Sequence, residues 1–269
     1  MPIMNLLVAY NGTDSSDAAL RYAAALARDR KAHVTAMLAH STHDTLDTSS
    51  RWIPRAARTL LAEAKTGLLT EIEARLDALR ETLGLGEALT FRAAPGPVDG
   101  LVSETGRAFD MIIAGRPMQD DDEHVRLHPD KIALMSGRPV IVVPKGYDAD
   151  ARHSHAALAW DGGRAAARAL SDSLRLLETQ GKVSVLTVGA APGLDDLMTH
   201  LARHDVSVVH ENWAAGQPVA EMILDYCRRR DPSLLVMGAY EHSKFREDLV
   251  GGVTASVLRN TTIPVLLSH

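Results

Sequence analysis

The most constraining feature of this sequence is that it repeats itself. Leu6–Tyr10, a short apolar run, passes into Asn11-Gly12-Thr13, and Ala156–Trp160 passes in the same way into Asp161-Gly162-Gly163. Ala94-Pro95-Gly96-Pro97-Val98 is answered by Ala215-Gly216-Gln217-Pro218-Val219, and Gly137-Arg138-Pro139-Val140 through Val143 by Thr262-Ile263-Pro264-Val265 through Leu267. Two copies of one unit are the economical explanation of matches that keep their order along the chain. The polar, aperiodic stretch Gly146–Ser154 reads as the join. The expected organisation is therefore a first domain over residues 1–146, a linker at 147–154 and a second domain over 155–269.

Each copy alternates strand and helix. In the first, strands are expected at Asn5–Tyr10, His33–Ala39, Ala88–Ala93, Met111–Ala114 and Val140–Val143, each a short apolar run bounded by turn residues. A helix capped at Asp14 or Ser15 places Ala19, Tyr22, Ala23, Leu26 and Ala27 on one face. A long helix from Pro54 carries Leu61, Leu68, Ile72, Leu76, Leu79 and Leu83 and stops at Gly84 and Gly86. Further helices start at Pro97 and near Lys131. The second copy has a helix through Ala167, Leu170, Leu174 and Leu177, and only a short one, around Leu194–Ala202, where the first has its long one. Continuous apolar strands separated by helices define an α/β protein with parallel sheets covered on both faces. The long helix is a thicker cover for the sheet or a partner surface.

Composition closes off several function classes. With 46% hydrophobic and 23% charged residues the chain is built to pack. A net charge of −5 without a basic cluster argues against a general nucleic-acid surface. Cys227 is the single cysteine, so no intramolecular disulfide forms. The opening MPIMNLLVAYNG has neither a basic n-region nor a long apolar h-region, and no window is apolar enough to span a bilayer, so a cytoplasmic location is expected.

The stretch most suggestive of chemistry is Leu234–Thr254. A buried-type strand ends on Gly238, a polar loop follows, and Gly251-Gly252 opens a helix through Val253, Val257 and Leu258. A glycine-rich helix start offers unpaired backbone N–H groups and the positive end of a helix dipole, so it suits an anion such as phosphate. Other chemistry is weaker. Asn11-Gly12-Thr13-Asp14-Ser15 is a faint echo of a pyrophosphatase phosphate loop and reads better as a helix cap. His124 and His128 would need a shared helix to hold a metal, and Pro129 favours a loop, so no metal site is expected. No Ser-His-Asp order, paired-carboxylate motif or P-loop identifies a catalytic residue.

The opening Leu6–Thr13, the strand-glycine Val236-Met237-Gly238 and the closing Gly251-Gly252-Val253-Thr254 through Ile263-Pro264-Val265-Leu266 resemble the universal stress protein family, over essentially the whole chain as a tandem pair. The resemblance implies two doubly wound domains, each a five-stranded parallel sheet in the order 3-2-1-4-5, which often pair through their last strands. A tandem chain could satisfy that pairing within itself or also form a homodimer. It implies, too, that some members bind ATP at the carboxyl ends of strands 1 and 4, in agreement with the crevice rule for open sheets. The family motif has Gly, two residues, Gly, nine residues, Gly, then Ser or Thr. Here Gly238 and Gly251 take the first and third places, while Glu241 replaces the second glycine and Gly252 the hydroxyl residue. By the same resemblance Asp161 faces the adenine and ribose, Val188 packs the base, and His242, Ser243, Val253 and Thr254 are further binding candidates. Lys244 or Arg246 could supply positive charge against Glu241.

The first copy lacks the glycine pair, has Asn11 for the family's aspartate, and carries Asp120-Asp121-Asp122-Glu123 in the phosphate region. It reads as a degenerate, structural copy. The expected function is a stress-response protein whose second domain binds ATP or a related adenine nucleotide, with or without magnesium, as a regulatory ligand. The alternatives are a nucleotide-free interaction scaffold and a slow nucleotide hydrolase using Asp161 as a base.

Overall fold

A computed structural model of the chain describes residues 2–41, 55–147, 153–239 and 252–269. The first half runs β1 (Asn5–Ala9), α1 (Asp14–Arg30), β2 (His33–His40), α2 (Arg55–Leu83), β3 (Leu89–Pro95), α3 (Val98–Gly106), β4 (Met111–Gly115), α4 (Pro129–Ser136) and β5 (Val140–Val143). The second runs β6 (His153–Ala159), α5 (Arg164–Ser173), β7 (Leu177–Val188), α6 (Leu194–Arg203), β8 (Ser207–Trp213), α7 (Val219–Arg230), β9 (Leu234–Gly238), α8 (Val253–Asn260) and β10 (Val265–Ser268).

Among the described residues the strands form one sheet of ten in the order β3-β2-β1-β4-β5-β10-β9-β6-β7-β8. Each half is thus a five-stranded parallel sheet in the order 3-2-1-4-5. The halves meet where β5 and β10 pair antiparallel, Ile141 opposite Leu266. Such a contact relates the halves by an approximate two-fold axis normal to the sheet, so equivalent helices fall on the same face. One apolar layer accordingly joins β1, α1, α2 and α5, and the other joins α3, α4, α7 and α8. The central strands are buried throughout, as parallel strands covered on both faces must be.

Reciprocal arginines tie the halves across this seam. Arg116, just past β4, donates to the carbonyl oxygens of Arg259 and Thr261 at the end of α8. Arg168 on α5 donates to Gly137 O at the end of α4, 2.9 Å away. Both satisfy helix-terminal carbonyls that lack intrahelical partners, at the end where positive charge is favoured.

Several sequence expectations are corrected. The cap of α1 is Thr13, whose hydroxyl accepts from Ser16 N, rather than Asp14 or Ser15. Leu177 is not helical: α5 ends at Ser173, and a turn delivers Leu177 to β7. Linker positions His153 and Ser154 belong to β6, and His153 is fully buried. Its Nε2 shares a 2.5 Å hydrogen bond with the hydroxyl of buried Tyr22 on α1, so a residue taken for solvated linker is packed against the first half.

The candidate site and the family it belongs to

Parallel crossovers put the carboxyl ends of the strands, and the starts of the helices that follow them, along one edge of the sheet. In the second half β9, β6 and β7 are adjacent, which brings Gly238, Asp161 and Val188 to that edge together. Gly238 ends β9, Asp161 follows β6, and Val188 ends β7. The chain returns at Gly252, the N-cap of α8, with exposed Val253 and buried Thr254 in its first turn. Glu241, His242, Ser243, Lys244, Arg246 and Gly251 lie outside the described residues.

Gly238 does more local work than leaving room for a ligand. A Cβ there would lie 2.8 Å from Ala165 Cβ and Ala166 N, in the first turn of α5. Gly115, its counterpart in β4, meets Ser15 and Ser16 of α1 in the same way. Both glycines exist because the helix after the first strand of each half crosses directly over them. Asp161 is likewise engaged locally: Oδ1 accepts from Gly163 N at 2.8 Å and shapes the turn into α5. That turn needs Gly162, which has φ +79 and sits against Pro192.

The two crevices differ in the charge at their helix starts. In the first half α1 is capped by Thr13 and carries Asp14 and Asp17 in its first turn. Arg75, reaching over from α2, bonds both carboxylates, and Lys145 pairs with Asp14 at 2.8 Å. These two cations hold the exposed Asp14 carboxyl down at about 2. Tyr10 donates its hydroxyl to Asp17, and burial first, then that carboxylate's charge, raises its pKa well above the usual phenol range. In the second half Arg164 stands where Asp14 does and Ala167 where Asp17 does. Neither α5 nor α8 has an acidic residue in its first turn, and both begin on a glycine with no side chain to cap them.

The first half's crevice is occupied by its own chain. Ile72 of α2 covers Gly12, where a Cβ would come within 2.6 Å of its Cγ1. The segment after β4 folds back over β1 and β2: Asn11 Nδ2 donates to Val125 O, Ser41 N donates to His124 O, and Val125 and Leu127 are buried. The acidic run is answered within that segment. Asp121 accepts from Met118 N, and Arg126 donates to the Gln119 and Asp121 carbonyls and pairs with Glu123. Val125 and Leu127, two hydrophobes inside a charged stretch, are the sequence signal of this fold-back. His128 stands at the N-cap position of α4 with its ring bonded to Asp99, while His124 faces Ser41, so the two histidines do not share a helix. No cluster of potential metal ligands occurs among the described residues.

A doubled, open, mostly parallel α/β sheet with its crevice at the carboxyl edge defines the class. The sequence model of the universal stress protein family matches residues 2–115 and 199–269, and the chain belongs to that family. A universal stress protein from Archaeoglobus fulgidus is similar at 13% identity, with a TM-score of 0.70 over 98% of this chain and 95% of that one. A protein of unknown function from Pseudomonas aeruginosa follows the same fold at 16% identity and a TM-score of 0.54, covering 99% of this chain and 92% of that one. No curated protein sequence matches the chain.

Proposed function

We propose that this stress-response protein binds ATP or a related adenine nucleotide at the carboxyl edge of its second half, as a regulatory ligand and in the cytoplasm. The observation that carries this reading is the start of α8 on Gly252, without a cap or an acidic residue, on the edge that also presents Val188, Asp161 and Gly238. Unpaired N–H groups and a helix dipole at that point suit phosphate oxygens, and Val188 gives the base an apolar neighbour. Glu241, His242, Gly251, Gly252, Val253 and Thr254 would surround the phosphates, with magnesium available to offset Glu241. The single cysteine, Cys227, buried and with its thiol pushed up to about 12 by burial, suits a reducing compartment.

Isothermal titration with ATP and ADP, with and without magnesium, tests the reading. Micromolar to submillimolar binding is expected, and Gly252→Asp should weaken it at least about tenfold, because the new carboxylate caps α8 well while placing negative charge at the anion position. Absence of heat at millimolar nucleotide, or unchanged affinity in Gly252→Asp, would overturn it.

A nucleotide-free scaffold is the second reading, favoured by the self-filled crevice of the first half. It requires that Glu241→Gly create binding that the native chain lacks. Turnover is the weakest reading, since Asp161 is committed to its own turn. Phosphate release abolished in Asp161→Ala would be needed to support it.

A further inference from the structure

Outside the crevice the second half has a pocket of about 370 Å3 between the carboxyl end of β8 and the surface of α7. We propose that this pocket is a separate binding site for a small aromatic carboxylate. Its size falls in the lower part of the range for small-ligand sites, about 300 to 1,000 Å3. Trp213 and Met222 supply the apolar wall, Asn212 and Gln217 the amides, and Asp225 with Arg229 the charged end.

Each part specifies something about the occupant. Trp213 is half-buried, and its ring packs at 6.2 Å and 60° on Tyr226, which is itself buried. The indole is therefore held rigid from behind while lining the pocket in front. A flat indole beside a thioether favours an aromatic ring over a flexible chain. Arg229 gives its Nε to Asp225 at 2.7 Å, which fixes the guanidinium and leaves its two terminal nitrogens for a pair of ligand oxygens. Arg228 reaches the other oxygen of Asp225 at 3.5 Å, so the cluster carries one net positive charge. That balance matches a singly charged, planar carboxylate, the geometry a guanidinium fork binds best. A phosphate dianion would meet Asp225 with one uncompensated charge too many.

The fold does not produce this pocket automatically, because the indole and the guanidinium that line it have no counterparts in the first half. Sheet register sets Trp213 opposite Val188 where the first half sets Ala94 opposite Ala39. Helices α3 and α7 start alike, on Pro97 and Pro218 with nearly the same backbone angles. Counting on from those prolines, the position of Arg229 falls on Ala108 in the first half. The segment from Trp213 to Pro218 is also longer than that from Ala94 to Pro97. The indole, the guanidinium and the wider loop are thus specific to the second half.

Titration of the full-length protein with 2-naphthoate, followed by the indole N–H resonances in a nitrogen-correlated spectrum, tests the proposal. The Trp213 resonance, assigned with Trp213→Phe, should shift at submillimolar acid, and saturating ATP should leave that shift in place. Arg229→Gln changes an exposed side chain and should weaken 2-naphthoate at least about tenfold, the loss of one charge-assisted hydrogen-bond pair. The neutral 2-naphthalenemethanol should bind native protein and Arg229→Gln equally, which separates lost charge recognition from a disturbed pocket. No shift at millimolar 2-naphthoate, native affinity in Arg229→Gln, or a shift at Trp160 in place of Trp213 would each overturn the proposal. Failure of ATP to bind leaves these readouts unaffected, so the two functional readings stand or fall separately.

Discussion

His153 is the residue whose environment departs furthest from its sequence context. It sits in a polar segment, yet it is fully buried and bonded to Tyr22, which also packs on Tyr147. Burial first, then the nearby Arg30 charge, depresses its pKa to about 4, with the Ser233 backbone opposing the shift. The folded state therefore holds the imidazole neutral while the unfolded chain takes up a proton near 6.5. Between those values the unfolded state binds more protons, so stability is complete above about 6.5 and falls as pH drops toward about 4, by up to about 3 kcal/mol. Urea unfolding of His153→Gln should show a shallower dependence across that window, with a residual slope from His155, which burial shifts the same way. An unchanged pH profile would remove His153 from this role. No periodicity or motif marks the residue, because its burial comes from a helix far away in the chain.

At the scale of elements, α2 is the largest difference between the halves. Its length and its face of Ile72, Leu76, Leu79 and Leu83 follow from apolar spacing, and Ile72, Leu76 and Leu83 are buried. Between a cover for the sheet and a partner surface, the contacts show the cover: it lies over the β1-to-α1 turn and is pinned there by Arg75 on Asp14 and Asp17 and by Arg28 on Leu83 O. Asp17 is buried, so removing its guanidinium leaves a carboxylate with Tyr10 alone. Arg75→Met should cost about 1 to 2 kcal/mol, discounted for the exposure of Arg75 itself, and should speed hydrogen exchange in α2 ahead of the strands. Equal exchange in variant and native protein would show that apolar packing alone holds the helix. The glycines at 115 and 238 carry a related lesson. A strand ending in glycine announced a close approach, but only the packing of α1 and α5 showed that the approaching group is backbone of the same chain.

At the scale of the whole molecule, the ten strands among the described residues form one sheet, and two apolar layers run through the β5–β10 seam. The halves are therefore expected to unfold in a single transition, with far-ultraviolet circular dichroism coinciding with the tryptophan fluorescence of a Trp52→Phe variant, whose remaining indoles, Trp160 and Trp213, both lie in the second half. Separate transitions would mean that the seam is weaker than its hydrogen bonds and the Arg116 and Arg168 contacts suggest. The repeat, the alternation of strand and helix and the parallel character of each half were all determined by sequence, because they depend on local apolar spacing and turn residues. The family resemblance extended that to the strand order. Tertiary structure alone decided that the first crevice is filled, because Ile72, His124 and Val125 reach the ends of β1 and β2 from distant parts of the chain. It also decided that Gly238 accommodates α5 and that a pocket opens beside Trp213. Those outcomes depend on packing between elements far apart in sequence, which local spacing does not encode.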